Sequence, residues 1–144
     1  MNKGIKIIKK YEGLRLEAYL CPSSIPTIGY GSTFYENGSK VVIGEKISIE
    51  RADALLLNTV QKFEISVRGL VKRQLNENQI GALTSFAFNV GVGNFKKSTL
   101  LKKVNENPDD PSIRGEFMKW NKAGGKVLNG LTKRRTEEAD LYFS

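Results

Sequence analysis

The chemistry open to this chain is limited first by a residue type that it lacks. None of its 144 residues is a histidine. Ser-His and Cys-His nucleophile pairs need an imidazole base, so both are excluded. A catalytic zinc site is disfavoured because its usual ligand sets include histidine. Carboxylate chemistry remains, and we expect neither a metal nor an organic cofactor.

Three residues near the amino terminus have types and spacing that suit such chemistry. Glu12 precedes Gly13, which is expected to end a first helix over residues 3–12. Cys21 and Thr27 flank the short turn PSSIP and can face each other across a hairpin. Each also has a plain structural interpretation: an exposed helix-end carboxylate, a small buried thiol and an ordinary strand residue. The residues alone leave both interpretations open. The next carboxylate, Glu17, is expected on a solvated strand.

The elements that must position these residues follow from glycine, proline and hydrophobic spacing. Glycines and prolines in residues 16–46 predict a small, turn-rich β region. Ser48 is a plausible N-cap for a long helix over residues 48–70, whose apolar residues recur at helical spacing. Asn76 and Gln79 resemble a capping box before a helix that is apolar on nearly every face and therefore central. Three further helices are predicted at 96–105, 110–122 and 132–143.

These elements predict one α+β domain over residues 1–144. The β-rich lobe is expected at about 13–50 and the larger helical lobe at 1–12 plus 70–144. The long helix at 48–70 is expected to join them, with a cleft where the lobes meet. A chain of this length is typical of a single domain.

Three long segments resemble a known family. The segment YEGLRLEAYLCPSSIPTIGYG is similar to the catalytic signature of the phage-type lysozymes, glycoside hydrolase family 24. The segments QIGALTSFAFNVGVGNFKKSTLLKKVN and WNKAGGKVLNGLTKRRTEEADLY resemble later parts of that family, in the same order and spacing. The resemblance implies a lysozyme-like fold. It also implies a muramidase that hydrolyses the β-1,4 bond between N-acetylmuramic acid and N-acetylglucosamine in bacterial peptidoglycan.

The resemblance also assigns site residues. This chain has the cysteine version of the second catalytic position, and Ser32 where many members have a histidine. The family's three catalytic positions match Glu12, Cys21 and Thr27, and its three groove contacts match Thr33, Phe88 and Ser98. For Ser98, capping of the helix that begins there is an equally good interpretation.

A mechanism follows from these assignments. Glu12 is the expected general acid, while Cys21 and Thr27 would hold and help deprotonate the attacking water. That arrangement fits inversion, in which the two groups stand roughly 6.5–9.5 Å apart. An ionised Cys21 would need a positive environment, because an unperturbed thiol has a pKa of about 8.5. Three alternatives stay open: a lytic transglycosylase, a catalytically silent peptidoglycan-binding module, and membrane disruption by a basic amphipathic segment.

The charge balance indicates the kind of partner. The net charge of +8 favours association with polyanions, and the acidic bacterial envelope fits the resemblance better than nucleic acid. The basic residues form short groups such as Lys133-Arg134-Arg135, which are typical of a solvated surface. No signal peptide or membrane-spanning run is recognised, so no stable membrane insertion is expected. With the resemblance, this implies a monomeric endolysin made in the host cytoplasm that reaches the wall through a separate holin.

Overall fold

The computed structural model describes all 144 residues as a mixture of helices and short antiparallel strands. None of its helices combines the length and the apolar composition of a membrane span. The chain divides into two compact units, one of residues 9–61 and one of residues 1–8 with 62–144. The elements in chain order are α1 (Ile5–Glu12), β1 (Arg15–Leu20), β2 (Pro26–Gly29), α2 (Ile49–Leu70), α3 (Glu77–Val90), α4 (Val92–Lys97), α5 (Thr99–Glu106), α6 (Ile113–Met118), β3 (Lys122–Ala123), β4 (Lys126–Val127) and α7 (Asn129–Tyr142).

The unit of residues 9–61 contains the predicted turn-rich β region. Strands β1 and β2 pair in antiparallel fashion, with Tyr19 opposite Thr27 and an irregular register between Arg15 and Tyr19. Isolated bridges, rather than further strands, continue the pairing through residues 32–46. Glu17 is exposed, as expected. A small core beneath the hairpin consists of Ala18, Ile28, Val41 and Leu55.

The long helix α2 begins and ends close to the predicted positions. The Ser48 hydroxyl oxygen accepts a hydrogen bond from the Arg51 amide at 3.1 Å, which confirms the predicted N-cap. The helix then runs for 22 residues to Leu70. Its residues up to Gln61 belong to the first unit and those from Lys62 to the second.

The second unit is built around α3, as the sequence predicts. Asn76 and Gln79 form a complete capping box. The helix is buried from Ile80 to Ala87 and belongs to the main hydrophobic core. Within that core the Phe86 ring makes edge-to-face contacts with Phe95, Phe117 and Trp120.

The carboxyl-terminal third departs from the predicted helix boundaries. The helix expected at 96–105 is two helices, α4 and α5, because Ser98 between them has an extended backbone. The helix expected at 110–122 is only α6, and α7 begins at Asn129 rather than at residue 132. Between them lies an unpredicted hairpin of two-residue strands, closed by Gly124 and Gly125, both at positive φ.

The amino terminus is fixed against α3 by a close approach of two glycines. The side-chain amide nitrogen of Asn2 donates to Glu64 Oε1 at 2.7 Å and to Thr84 Oγ1 at 3.1 Å. A Cβ atom on Gly4 would lie 2.3 Å from the Gly81 carbonyl oxygen, and one on Gly81 would lie 2.7 Å from the Gly4 nitrogen. Both contacts are with backbone atoms, which cannot move aside independently of the chain.

We therefore expect Gly81→Ala to lower the free energy of unfolding by roughly 1–3 kcal/mol, the usual cost of forcing extra volume into a packed site. Gly69 in α2 is the matched control, because a Cβ there would meet nothing within 4 Å. Gly69→Ala should stabilise by about 0.5–1 kcal/mol through helix propensity. Urea unfolding of both variants measures the difference, and equal effects would show that the close approach is unimportant.

Candidate active site

Glu12 lies at the junction between α1 and the β hairpin. It is the last residue of α1 and is half-buried. The helix stops because Gly13 has a positive φ of 73°. Arg15, at the start of β1, pairs with Gly29, at the end of β2, so the end of β2 lies close to Glu12. A Cβ atom added to Gly31 would lie 3.3 Å from Glu12 Oε2, so the carboxyl group borders the backbone of the segment after β2.

Cys21 and Thr27 lie on the two sides of the turn that joins β1 to β2. The Ser24 amide donates to the Cys21 carbonyl at 2.8 Å, and the Cys21 amide donates to the Ile25 carbonyl at 3.1 Å. Ser24 has a positive φ of 60°, which the tight turn requires. Thr27 is almost fully buried, whereas Cys21 is half-buried. Tyr19, not Cys21, is directly opposite Thr27 in the register, so the predicted facing pair is offset. The Thr27 hydroxyl still lies within hydrogen-bond reach of the Cys21 thiol.

The turn also changes the acidity of the thiol. Hydrogen bonding from the Ile25 backbone is the largest cause that lowers the pKa of Cys21 below its ordinary value, with smaller contributions from the Ser23 backbone and the Thr27 side chain. Partial desolvation opposes them without reversing the direction. Backbone hydrogen bonds, rather than a positive neighbour, are thus the main cause of the lowered pKa of Cys21. At neutral pH a larger fraction of this thiol is ionised than of an ordinary one.

The Thr27 hydroxyl has one proton and two possible acceptors. It donates to the Ile25 carbonyl oxygen at 2.9 Å. Its oxygen lone pairs then remain available to the Cys21 thiol or to a water molecule. When Cys21 is ionised, the same hydroxyl can rotate and donate to the sulfur instead, as its effect on the thiol pKa indicates. Thr27 can therefore support either protonation state of Cys21.

Thr33 lies in the same unit as these three residues. It is half-buried, and its carbonyl accepts the Val41 amide at 3.0 Å. It lines a hollow of about 390 Å³ together with Ile25, Phe34 and Lys40. Phe34 is 53% exposed, which offers an apolar ring face to a ligand in this hollow.

Phe88 and Ser98 belong to the helical unit. The Phe88 ring is half-buried, with its centroid 5.2 Å from that of Phe63. The Ser98 hydroxyl donates to the Phe95 carbonyl at 2.7 Å and accepts from the Leu101 amide at 3.1 Å. Ser98 is therefore the N-cap of α5, which is the structural interpretation that the sequence left open. A role in substrate binding stays a prediction for both residues.

Ser32, the departure from the family pattern, is fixed through its backbone. Its amide and carbonyl both pair with Ile28 at 2.9 Å. The chain path after β2 therefore does not depend on the side chain at this position.

Sequence reasoning missed the position of Gly31 beside Glu12, although Gly31 is part of the quoted motif TIGYG. We expect Gly31→Ala to lower activity by about tenfold, because its Cβ would press on the Glu12 carboxyl group. Gly38→Ala is the matched control: both glycines are exposed and have a φ near +90°, but a Cβ on Gly38 meets nothing within 4 Å.

Both variants should lose about 1–2 kcal/mol of stability from backbone strain, whereas only the Gly31 variant should lose activity. Thermal unfolding and a turbidity assay on bacterial cell walls measure the two effects. An equal loss of activity in both variants would mean that strain, not contact with Glu12, is responsible.

Comparison with known proteins decides the family. The family model described as "Phage lysozyme" matches residues 9–138, which includes all six candidate site residues. The chain belongs to the phage lysozyme family. An endolysin of Bacillus phage B103 is 44% identical over 98% of this chain. The chain spans about half the length of the Bacillus phage relatives that it matches, 52% in the case of B103.

Solved structures of an endolysin and of a muramidase domain share the fold. The endolysin from Escherichia coli O157:H7 phage FAHEc1 has a TM-score of 0.90 and 37% identity, and the match covers 100% of this chain and 92% of that one. The muramidase domain of SpmX from Asticaccaulis excentricus has a TM-score of 0.87 and 32% identity, covering 100% and 97%. The predicted lysozyme-like α+β fold is thereby confirmed.

Proposed function

We propose that this chain is a muramidase that hydrolyses the β-1,4 bond between N-acetylmuramic acid and N-acetylglucosamine in bacterial peptidoglycan. The observation that carries the proposal is the pairing of the Cys21 thiol with the Thr27 hydroxyl in the unit that also contains Glu12. One half-buried carboxyl group and a polar pair suited to binding water are the groups that such a hydrolysis needs. The names endolysin and muramidase domain, given to its relatives, support the same reaction.

The chemistry divides between two groups of residues. Glu12 donates its proton to the glycosidic oxygen, which takes the electron pair of the breaking C1–O bond. A water molecule attacks C1 from the opposite face of the sugar ring. The Cys21 thiolate accepts one water proton and the Thr27 oxygen accepts a hydrogen bond from the other. The product keeps the water oxygen on C1 with inverted configuration. Solvent then restores the proton to Glu12 and takes the proton from the Cys21 thiol, which regenerates the thiolate.

The proposed activity also implies where the protein is made and where it acts. Peptidoglycan lies outside the cytoplasmic membrane, so an enzyme that cleaves it must reach that side. Relatives of this chain are named endolysin. We infer synthesis in the host cytoplasm and action on the wall after a separate holin has opened the membrane. Thr33, Phe88 and Ser98 are proposed to contact the glycan, with Thr33 doing so in the hollow beside Phe34.

Analysis of the reaction products tests the proposal. Purified peptidoglycan is digested, reduced with borohydride and analysed by mass spectrometry. Reducible N-acetylmuramic acid ends are expected, and NMR of the fresh product should show the α anomer. Anhydro ends would instead identify a lytic transglycosylase, which needs no bound water. The absence of cleavage would leave a peptidoglycan-binding module.

Variants of Cys21 test the water-binding pair. Cys21→Ala should lower the cleavage rate by about 10²-fold, the lower end of the range for a general base, while leaving wall binding unchanged. Cys21→Asp is the matched control, because a carboxylate replaces the thiolate and is the alternative residue in the family's pattern. It should retain most of the activity. Full activity of Cys21→Ala would remove Cys21 from the mechanism.

A further inference from the structure

The net charge of the chain is confined to one of its two units. Residues 1–8 and 62–144 contain 17 lysines and arginines against nine acidic residues. Residues 9–61, which contain Glu12, Cys21 and Thr27, carry six of each sign. The whole surplus of +8 therefore belongs to the helical unit. A function of this positive charge therefore belongs to the helical unit and not to the unit that contains Glu12, Cys21 and Thr27.

Part of this surplus surrounds a depression of about 510 Å³ in the helical unit. No acidic residue lines it, and neither an arginine nor an aromatic residue does. Lys103, which is next in the chain to one of the lining lysines, is instead paired with Glu116 at 3.5 Å. The four lysines that line the depression are exposed and form no salt bridge: Lys72, Lys96, Lys97 and Lys102.

The depression has a fixed frame. The Asn105 side chain accepts the Lys72 amide at 2.8 Å and donates to the Leu70 carbonyl at 3.2 Å. These bonds tie the chain after α2 to α5. The N-cap at Ser98 sets the angle between α4 and α5, the helices that present the other three lysines. Side-chain hydrogen bonds thus fix the three backbone segments that carry the four lysines, while the lysine side chains stay exposed to solvent.

We propose that this depression binds phosphodiester groups of an anionic polyol-phosphate polymer in the bacterial wall. The four lysine ammonium groups act as compact point charges, a known mode of binding phosphate that suits the single charge of each phosphodiester. Several lysines around one depression favour a ligand with repeated charges over a single free ion. The lack of aromatic residues removes the stacking platforms that single-stranded nucleic acids use.

The choice of a wall polymer rests on the proposed muramidase function. Binding such a polymer would concentrate the enzyme on its insoluble substrate through lysines that take no part in the proposed reaction. Of the proposed glycan contacts, only Ser98 also lines the depression. The attraction acts between exposed charges and must weaken as salt rises. Affinity for the polymer and cleavage of the glycan can therefore be measured separately.

The test compares two fourfold variants that lose the same charge from the same unit. One replaces Lys72, Lys96, Lys97 and Lys102 by glutamine. The matched control replaces four exposed lysines outside the depression, namely Lys62, Lys122, Lys126 and Lys133. Binding of the full chain to soluble poly(glycerol phosphate) is measured by calorimetry at low and physiological salt. Circular dichroism verifies that each variant is folded.

The first variant should bind on the order of tenfold more weakly than the control, as expected from four exposed charge pairs. Three results would overturn the proposal: equal losses in both variants, no binding by the unchanged chain, or tighter binding to a DNA duplex than to the polymer. Cleavage of walls stripped of phosphate polymers by cold hydrofluoric acid should be the same in all three proteins. If the unchanged chain fails to cleave those walls but binds the polymer, the muramidase function fails and this inference does not.

Discussion

Replacement of Glu12 by glutamine is expected to lower the rate of peptidoglycan cleavage by about 10³-fold. The amide has nearly the same shape as the carboxyl group but offers no proton of suitable acidity to the leaving oxygen. Positioned general acids contribute roughly 10²- to 10⁴-fold, and the departure of a sugar alkoxide without protonation is slow. Binding to the wall should persist, because the positive charge of the chain lies in the other unit.

The matched control for this variant is Glu17→Gln. Glu17 is the nearest other carboxylate in the sequence, lies on β1 and is exposed. Its replacement makes the same change in charge and should leave the rate within about twofold, as is usual for exposed surface sites. Release of reducing ends from purified peptidoglycan measures both variants. Comparable losses would remove Glu12 from its assigned role and point to the charge of the whole β unit.

A comparison of the Glu12→Gln variant with the unchanged chain also separates enzymatic lysis from membrane disruption. If a basic amphipathic segment damages membranes, Glu12→Gln should still release dye from vesicles of anionic phospholipid as well as the unchanged chain does. If lysis depends only on cleavage of the wall, neither protein should release dye. Killing by the Glu12→Gln variant at the unchanged rate would then contradict the muramidase mechanism.

Local chemistry predicted the helix starts that depend on a cap. Ser48 and Asn76 stand directly before apolar runs of helical period, and both side chains accept the amide hydrogen bonds expected of N-caps. At Ser98 the sequence left a helix cap as one of two interpretations, and the hydrogen bond from the Leu101 amide to its hydroxyl shows that it is a cap. The hairpin at Gly124 was not predicted, since two-residue strands leave no alternation to recognise.

The sequence predicts which residues form the candidate site, but not the backbone contacts that surround them. Glu12, Cys21 and Thr27 came from the motif, and the structure places the last two across one hairpin. The lowered pKa of Cys21 comes first from the Ile25 backbone, whose effect depends on a turn geometry that the letters PSSIP do not specify. The contact of Gly31 with Glu12 likewise requires the return of the chain through β2.

The basic group at residues 133–135 shows most clearly where sequence reasoning was wrong. It was expected to be solvated, yet Arg134 and Arg135 are almost fully buried. Both pair with Glu138, one turn further along α7, which is also fully buried. Charged residues are rarely buried unless they are paired, and Glu138 supplies one partner from the same helix. The other partners come from distant segments, which the pattern of a single helix does not reveal.

The partners come from α3 and from the end of α6. The Ser85 hydroxyl donates to Glu138 Oε2 at 2.6 Å, and the Ser85 carbonyl accepts from Arg134 at 3.1 Å. Arg135 donates to the Trp120 carbonyl at 2.9 Å and to the Asn89 side chain. Burial lowers the pKa of Arg135, while the neighbouring Glu138 carboxylate opposes that change. Glu138 is thus a buried anion that pairs with two buried cations.

Glu138→Gln is therefore expected to lower the free energy of unfolding by about 3–5 kcal/mol, because it removes the buried carboxylate that pairs with the fully buried Arg135 guanidinium group. For a chain of this size that corresponds to a fall in Tm of roughly 10 °C. Asp140→Asn is the matched control, two residues away on α7, where the carboxylate is exposed and pairs with Arg114 at 2.8 Å. Its cost should stay below about 1 kcal/mol. Thermal unfolding of the two variants decides the matter: similar shifts would mean that the buried cluster contributes no more than a surface ion pair.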